Sequence, residues 1–362
     1  MGQPDLILIT DMAQNTGIGV YTYDLFKALR RAGMNVAFLY TGYGHLRIEE
    51  GIIDYKRIEN NGGYVSKGLA KWFNQRQIRK LNIFQESNVH LCGASYSLSY
   101  FFEKPIATVY DLYFIKPKHY WFTNRELMVS YSTYDLNILK NIIDLKRIKN
   151  MISISETTRQ QVLSKINRNS IVINPWINNQ RFHLRDKIES RKILNIPLDK
   201  HILLNVSGNG PNKNLELLTS ITNQLTSDWV LVKIGHPIFA KNVINVGKLD
   251  RELYPYVFNA ADIYMHTSTF EGFGIPLIES MGSGLPVIAS NTPSSREVLG
   301  EKSIYFDFSE SPKDIFKKIQ EMNMKENYDE LINISLDRSK FYSESKVMSQ
   351  YINFYRKTIG IF

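Results

Sequence analysis

The chain has 362 residues, of which 43% are hydrophobic, and its 44 Lys and Arg against 35 Asp and Glu give a net charge of +9. This hydrophobic content excludes a disordered chain, and the length suggests two domains. Residues 1–180 hold 22 basic and 14 acidic residues, whereas residues 181–362 hold 22 and 21. The positive first half predicts an anionic partner there: a membrane surface, nucleic acid or a phosphorylated molecule.

One cysteine, Cys92, cannot form an internal disulfide or a cysteine-rich zinc site. The seven histidines lack metal-binding spacing and the chain contains no D-x-D, so we expect no metal and no resident cofactor. The N-terminal apolar run Leu6–Ile9 is too short for a signal peptide or a spanning helix. We therefore expect a cytoplasmic protein, either soluble or peripheral on the inner membrane face.

Strands and helices alternate along the first half. Its predicted elements are a strand at Leu6–Thr10, a loop at Asn15–Gly19, a helix that begins at Val20 and is stopped by Gly33, and strands at Asn35–Tyr40, Ile106–Tyr110, Met151–Ile154 and Ser170–Asn174. Ser155 is the predicted N-cap of a helix that begins at Glu156. This order is typical of a parallel sheet with crossover helices.

The polar and charged residues 182–192 predict a linker, and a second alternating series follows them. Its predicted elements are strands at Ile202–Val206, Trp229–Ile234, Val243–Val246, Ile263–His266, Val287–Ala289 and Ile304–Phe306, a helix from Asn214, and a helical tail over Asp314–Lys357. Two such series predict two Rossmann-like α/β domains that face a central cleft, with ligands beyond the carboxyl ends of the strands. We place these domains at residues 1–180 and 181–345, with a helix at 346–362 that packs back on the first.

The densest motif runs from Ser268 to Ser290. A Gly-rich loop leads into a helix N-terminus near Pro276, where free backbone N–H groups suit an anion or a polyol. Glu271 lies in the loop and Glu279 about one turn into the helix. Carboxylates are strong acceptors for sugar hydroxyls, so the pair can bind two rings of one ligand.

This motif resembles the E-x7-E signature of the family 4 retaining glycosyltransferases, which have the two-Rossmann GT-B fold. The resemblance extends to Ala261-Asp262, Gly284-x-Pro286 and Glu297–Gly300. It implies that Glu279 binds ribose hydroxyls of a nucleotide and that Glu271 binds the transferred sugar. It also implies a donor-binding loop made of Ser268, Gly272, Phe273, Gly274 and Ile275.

A second Gly-rich segment, Ser207–Asn214, resembles the G-R-x-x-x-K-N loop of the same family, whose Arg and Lys neutralise the donor diphosphate. Lys213 and Asn214 match, and Gly208 is the glycine, but Asn209 stands at the Arg position. The resemblance therefore implies a diphosphate site with one formal charge fewer, unless another cation replaces it.

The first half carries two weaker matches. Gly17 and Gly19 resemble a glycine loop that approaches the diphosphate or the acceptor. Tyr110-Asp111 stands where the family has His-Asp, so Tyr110 takes over a hydrogen bond, or donor choice differs, or His119 compensates. Asp111 either belongs to the catalytic group or caps the next segment.

The basic and aromatic segment 67–81, with Lys146, Arg147 and Lys149 in the same half, has two interpretations. It forms a helix on an anionic membrane surface, or an ordinary helix with a solvated basic face. No nucleic-acid-binding motif is present, so we expect no nucleic-acid partner.

The resemblance implies a metal-independent retaining glycosyltransferase. It would transfer a hexose from a nucleotide-diphosphate sugar to a hydroxyl acceptor, either a glycan or a lipid-linked molecule. Glu271, Lys213, Tyr110 and Asp111 are the implied catalytic residues. Two alternatives stay open: a sugar-nucleotide epimerase or phosphorylase of the same fold, and a non-catalytic protein that binds nucleotide sugars or carbohydrates.

Overall fold

The computed structural model describes residues 4–12, 16–40, 52–54, 87–93, 96–112 and 130–361. The chain divides into two compact units. Among the described residues, the first unit contains those up to Ile173 and those from Met348 onward, and the second contains Asn174–Val347. The change of unit after Ile173 falls seven residues before the boundary that we drew at residue 180.

A parallel sheet of seven strands forms the centre of the first unit, in the order β3-β2-β1-β4-β5-β6-β7. The strands are β1 (Leu6–Thr10), β2 (Val36–Tyr40), β3 (Ile52–Asp54), β4 (Asn88–Cys92), β5 (Ile106–Val109), β6 (Asn150–Ser153) and β7 (Ile171–Val172). The helices are α1 (Gly17–Arg31), a 3₁₀ helix (Tyr96–Phe101), α2 (Ser130–Arg147), α3 (Glu156–Gln161) and a π-helical turn (Val162–Ile166). All residues of β1 and β2 are buried, as is usual for a parallel sheet covered on both faces.

Local sequence explains where the first helix begins and ends. The Thr16 hydroxyl caps α1 by accepting a hydrogen bond from the Gly19 N–H at 3.1 Å. Tyr21, Leu25 and Leu29 recur at helical spacing and are all buried. Gly33 follows the helix with φ of +87°, a conformation that favours glycine.

The sheet of the second unit has six parallel strands, in the order β10-β9-β8-β11-β12-β13. They are β8 (His201–Ser207), β9 (Trp229–Gly235), β10 (Val243–Gly247), β11 (Ile263–His266), β12 (Val287–Ser290) and β13 (Ile304–Phe306). The α-helices are α4 (Lys187–Ile193), α5 (Leu215–Thr222), α6 (Tyr256–Ala260), α7 (Ile275–Gly282), α8 (Pro293–Leu299), α9 (Pro312–Met322) and α10 (Lys325–Ser339), with 3₁₀ helices at Pro211–Lys213 and Lys340–Tyr342. The last helix, α11 (Glu344–Ile359), begins in this unit and continues into the first at Met348.

The strand order of the second sheet reverses direction beside β8, which pairs with β9 on one side and with β11 on the other. Loops that leave two such neighbours diverge to opposite faces of the sheet and open a crevice at their carboxyl ends. The loops after β8 and β11 are the two Gly-rich segments singled out in the sequence. The topology therefore places both motifs at this one edge of the sheet.

The charged segment 182–192 is not a linker, and that prediction was wrong. Its residues from Lys187 form α4, and Arg191 is only 4% exposed. The Arg191 guanidinium donates to the Asp262 carboxylate at 2.8 Å and to the Ala260 carbonyl at 2.9 Å. A buried arginine paired in this way looks the same in sequence as a solvated one, because its partner lies about seventy residues away.

Candidate functional site

The two Gly-rich loops of the second unit are bound to each other. The Thr269 N–H donates to the Asn212 carbonyl at 2.8 Å, and the Asn212 side-chain amide donates to the Phe270 carbonyl at 2.9 Å. The Thr267 hydroxyl donates to the Lys213 carbonyl, also at 2.8 Å. These bonds hold the loop after β8 against the loop after β11, so their side chains share one location.

Lys213 and Glu271 form an ion pair at this location. The Lys213 Nζ lies 2.5 Å from Glu271 Oε1. Burial alone would raise the pKa of the Glu271 carboxyl, but the charge of Lys213 and hydrogen bonds from Lys213 and Ser268 lower it overall. Glu271 is therefore a carboxylate at neutral pH, ready to accept hydrogen bonds from hydroxyl groups.

His266, at the end of β11, lies beneath this ion pair. Its Nε2 is 4.0 Å from Glu271 Oε1 and has no hydrogen-bond partner among the described residues. Burial lowers the pKa of His266 to about 4, so the ring is neutral at pH 7. Sequence reasoning missed His266, since an isolated histidine in an apolar strand gives no signal by itself.

The loop after β11 reaches α7 through Gly274, which has φ of +100°. This backbone conformation favours glycine, and a Cβ at Gly274 would in addition lie 2.8 Å from a Leu277 methyl group, which would have to shift. The neighbouring Phe273 ring is buried and packs edge-on against Tyr342. The Phe273 side chain of the predicted donor-binding loop thus lies in the core. The backbone of the loop is the part that is left to contact a donor.

Glu279 lies on α7 and has a phenol partner that sequence reasoning missed. The Tyr254 hydroxyl donates to Glu279 Oε2 at 2.8 Å. Burial raises the pKa of Tyr254 well above its usual value, and the Glu279 charge raises it further, so the phenol keeps its proton. The Tyr254 ring packs edge-on against Phe182 and Phe258, which fixes the position of its hydroxyl. Tyr254 therefore orients one oxygen of the Glu279 carboxylate.

The remaining predicted residues of the second unit lie in the same two loops. Gly208 and Asn209 follow β8 and are exposed, whereas Ser268 and Gly272 are buried. Ile275 is the first residue of α7. The donor-site residues predicted in the second unit therefore lie in these two loops and on α7. Their individual roles stay predictions.

The other predicted site residues lie in the first unit, whereas the two Gly-rich loops lie in the second. Gly17 is the first residue of α1, and the Gly19 N–H is already bound by the Thr16 hydroxyl. Their predicted contact with a diphosphate or an acceptor stays a prediction.

Tyr110 follows β5 and is buried. Its hydroxyl lies 3.3 Å from the Thr22 hydroxyl, and its ring meets Tyr21 edge-on. Burial raises the pKa of Tyr110 well above its usual value, so this phenol does not titrate near neutral pH. The next residue, Asp111, is half-buried. Catalytic roles for Tyr110 and Asp111 stay predictions.

Two predictions concern residues outside the described part of the chain: the basic segment 67–81 and the compensating His119. Within the described ranges, no helix is both long enough and apolar enough to span a bilayer. The same residues contain no group of three or more His, Cys, Asp or Glu side chains that could hold a metal ion.

Residues 186–334 match the model of a protein family described as "Glycosyl transferases group 1". This match contains Lys213, Glu271 and Glu279. Over 62 residues the chain is 39% identical to an O-antigen chain mannosyltransferase B of Escherichia coli, which covers 17% of this chain and 16% of the relative. Over 133 residues it is 28% identical to the O-antigen biosynthesis glycosyltransferase WclY of E. coli, covering 33% of this chain and 37% of the relative. The chain thus matches well under two thirds of the length of these relatives.

Solved structures resemble the chain over almost its whole length. A sucrose-phosphate synthase from Thermosynechococcus elongatus superimposes with a TM-score of 0.77 at 18% identity, over 97% of this chain and 98% of that one. HepE of Anabaena, solved with UDP-glucose, gives 0.75 at 14% identity over 97% and 99%. WaaG, a glycosyltransferase involved in lipopolysaccharide biosynthesis, gives 0.70 at 12% identity over 98% and 100%. The likeness confirms the predicted α/β fold of two Rossmann-like domains.

Proposed function

We propose that the chain is a retaining glycosyltransferase, which moves a hexose from a nucleotide-diphosphate sugar to a hydroxyl acceptor. The observation that carries the proposal is the ion pair of Lys213 with Glu271, which joins the loops after β8 and β11, with Glu279 on α7 directly after the second loop. The family match over residues 186–334 supports it, because that stretch contains this constellation.

In this proposal Glu279 accepts hydrogen bonds from the ribose hydroxyls, and Glu271 from hydroxyls of the transferred sugar. Lys213, now paired with Glu271, turns toward the diphosphate when the donor binds. Backbone N–H groups of Gly274 and Ile275, at the positive end of α7, add to the stabilisation of its negative charge. Such charge stabilisation is what the departure of a diphosphate requires.

The proposed reaction proceeds on one face of the sugar. The bond between the anomeric carbon and the diphosphate oxygen breaks, leaving its electron pair on the diphosphate. The acceptor oxygen forms the new bond from the same side, and its proton passes to the leaving diphosphate oxygen. The resulting linkage keeps the donor's anomeric configuration. We propose that this sequence needs no protein nucleophile, no metal and no resident cofactor.

The comparisons support a hexose donor and a glycan acceptor, and we propose both for this chain. Two relatives are named for mannosyl transfer or O-antigen biosynthesis, and one structural neighbour was solved with UDP-glucose. The acceptor in this proposal is either a glycan or a lipid-linked molecule, and a phosphate on it would suit the positive first half of the chain.

We further propose that the first unit contacts the inner, cytoplasmic face of an anionic membrane. On α2, Leu139 and Ile143 are each 56% exposed, one helical turn apart, beside the exposed Lys140, whose ammonium group pairs with Asp144 at 2.9 Å. Nearby, the Arg147 guanidinium lies over the exposed Tyr100 ring at 4.8 Å. Apolar and basic side chains together suit lipid headgroups. We expect the protein to float with anionic liposomes and added salt to weaken this flotation. Flotation that salt leaves unchanged, or no flotation at all, would contradict the membrane contact.

Asn209 favours one second candidate, a protein that binds nucleotide sugars without transferring them, because a charge is missing from the expected diphosphate site. A transfer assay separates the two. We expect the wild-type chain to form a glycosylated product, and Lys213→Ala to lose transfer by about a hundredfold while remaining folded. Lys241→Ala, a change at an exposed lysine of the same unit, is the control. Full activity in folded Lys213→Ala would contradict the assigned role, and binding without product in the wild type would favour the second candidate.

A further inference from the structure

Lys233 is a fully buried lysine on β9, opposite Asn205 in the neighbouring strand β8. Its Nζ donates to the Ser207 carbonyl at 2.7 Å and to the Ile234 carbonyl at 2.8 Å. Both acceptors are neutral backbone oxygens, so neither hydrogen bond cancels the charge of the ammonium group. The electric field of a buried cation that is hydrogen-bonded only to neutral groups extends to the groups around it.

The Ser207 carbonyl marks the start of the Gly-rich loop after β8. Besides Lys233, the His236 N–H donates to this oxygen at 3.0 Å. Gly235, with φ of +93°, lies so close that a Cβ there would collide with the Ser207 oxygen. The end of β9 therefore supports the start of the loop from below, with Lys233 as the charged part of that support.

The charge is needed because the loop itself is short of positive groups. Asn209 is neutral, and Lys213 is already paired with the Glu271 carboxylate at 2.5 Å. A diphosphate at this loop would contact one lysine, Lys213, whose charge Glu271 balances. Lys233 also lies next to the loop, and no carboxylate in the described part of the chain pairs with it.

We infer that Lys233 is a positioning residue for the donor diphosphate: it holds the start of the Gly-rich loop and supplies, from beneath the loop, the positive charge that Asn209 does not. The inference rests on the proposed function, since it presumes a nucleotide-diphosphate ligand at this loop. Lys233 does not touch the ligand. It acts through the loop and through its field.

The titration of Lys233 predicts a specific pH dependence of diphosphate binding. Burial, with a smaller contribution from the like charge of Lys213 in the 3₁₀ helix, lowers the pKa of Lys233 to about 8. Above pH 8 the amine becomes neutral and its field is lost. A bound diphosphate favours the ammonium form, so affinity for the diphosphate falls as pH rises through this range.

The test is calorimetric titration of UDP, GDP and ADP, and of the corresponding nucleosides, into the full chain at pH 7 and pH 9.5. The variants are Lys233→Met, which removes charge and hydrogen bonds, and Lys233→Gln, which keeps a donor for the loop. Lys192→Met, at an exposed lysine of α4, is the matched control. We expect both Lys233 variants to bind the preferred nucleoside diphosphate about tenfold more weakly at pH 7, with unchanged nucleoside affinity.

The comparison of binding at pH 7 and pH 9.5 separates the effect of the Lys233 charge from the effect of its hydrogen bonds to the loop. Wild type and Lys192→Met should lose diphosphate affinity between pH 7 and pH 9.5 by clearly more than Lys233→Gln does. Equal affinities and equal pH dependence in wild type and Lys233→Gln would overturn the inference alone. A parallel loss of nucleoside and diphosphate affinity would also overturn it, since that indicates a merely structural role. A wild-type chain that binds none of the three diphosphates would overturn the proposed function as well.

Discussion

The two glutamates of the E-x7-E pattern are held by partners that lie outside that pattern. Glu271 is paired with Lys213 from the other loop, and Glu279 accepts a hydrogen bond from Tyr254, which precedes α6. Hydrogen bonds to a charged group narrow the orientations that its oxygens can take. The carboxylates of the E-x7-E pattern are thus already oriented before any ligand arrives.

The contribution of Tyr254 can be measured by deleting one oxygen atom. Tyr254→Phe removes the hydrogen bond to Glu279 and leaves the ring packing against Phe182 and Phe258 in place. We expect nucleoside diphosphate affinity to fall about tenfold, since a hydrogen bond to a charged group contributes about 1.5–3 kcal/mol. Calorimetry measures this loss. Tyr305→Phe, whose hydroxyl binds the Gly300 carbonyl, is the matched control, and an equal loss in both variants would contradict the role of Tyr254.

At the scale of the elements, a buried ion cluster attaches helix α4 to the second sheet. Asp262, just before β11, binds Arg191 at 2.8 Å and Lys187 at 2.7 Å, and it accepts the Ile202 N–H at 2.6 Å. One carboxylate therefore joins the start of β8, the start of β11 and α4. Both strands that bear the Gly-rich loops depend on it for their relative position.

Breaking this cluster should destabilise the chain strongly. Arg191→Met leaves the Asp262 carboxylate without its buried partner, and the expected cost is about 3–5 kcal/mol of unfolding free energy. Urea denaturation followed by circular dichroism measures it. The exposed pair Arg296–Glu301 is the control: Glu301→Gln should cost less than about 1 kcal/mol. Similar costs for the two variants would contradict the structural importance of the cluster.

Most elements were predictable, and the exceptions share a physical cause. Runs such as Ile263–His266 and Ile304–Phe306 were predicted to the residue, because buried parallel strands are continuous apolar segments. Strand β4 (Asn88–Cys92) was not predicted, since its short run is interrupted by His90. His90 is fully buried there and bonds to Tyr355 and Thr108, partners that only the folded chain brings together.

The same holds for the site. The motifs located the two loops, because glycine, lysine and glutamate at fixed spacing leave a pattern in the sequence. Tyr254 and Lys233 left none, since each acts through a contact with a more distant part of the chain. His266 left none because it is an isolated histidine in an apolar strand. The α4 segment shows the opposite error. Its charged residues predicted a linker, but the charge of Arg191 is balanced by Asp262 inside the fold.

At the scale of the whole molecule, the last helix carries buried polar contacts into the first unit. The Tyr351 hydroxyl lies 3.0 Å from that of Tyr21, and the Tyr355 hydroxyl lies 2.7 Å from His90 Nδ1. Burial lowers the pKa of His90 to about 3. Neutral His90 is thus part of the packing between the end of the chain and the first sheet.

This arrangement predicts sensitivity to acid. The pKa of His90 is lower in the folded chain than its unfolded value of 6.5, so the unfolded chain binds the extra proton and stability falls as pH drops below 6.5. The expected loss is about 1.4 kcal/mol per pH unit toward pH 3. His266, with its pKa at about 4, contributes in the same direction.

Urea denaturation at pH 7 and pH 5 measures the effect. His90→Gln, which does not titrate, should lose about 2 kcal/mol less than wild type between these pH values. His183→Gln, at an exposed histidine, is the control and should behave like wild type. Identical pH dependence in wild type and His90→Gln would contradict the account of His90.

The central claim is that the loops after β8 and β11 form the binding site of a nucleotide-diphosphate sugar. Its most direct test is calorimetric titration of UDP-, GDP- and ADP-hexoses into the wild-type chain and into Glu279→Ala. We predict that wild type binds a sugar nucleotide with one of these bases and that Glu279→Ala weakens this binding by at least about tenfold, since ribose loses a charged acceptor. No binding by the folded wild type, or equal binding by both proteins, would contradict the claim.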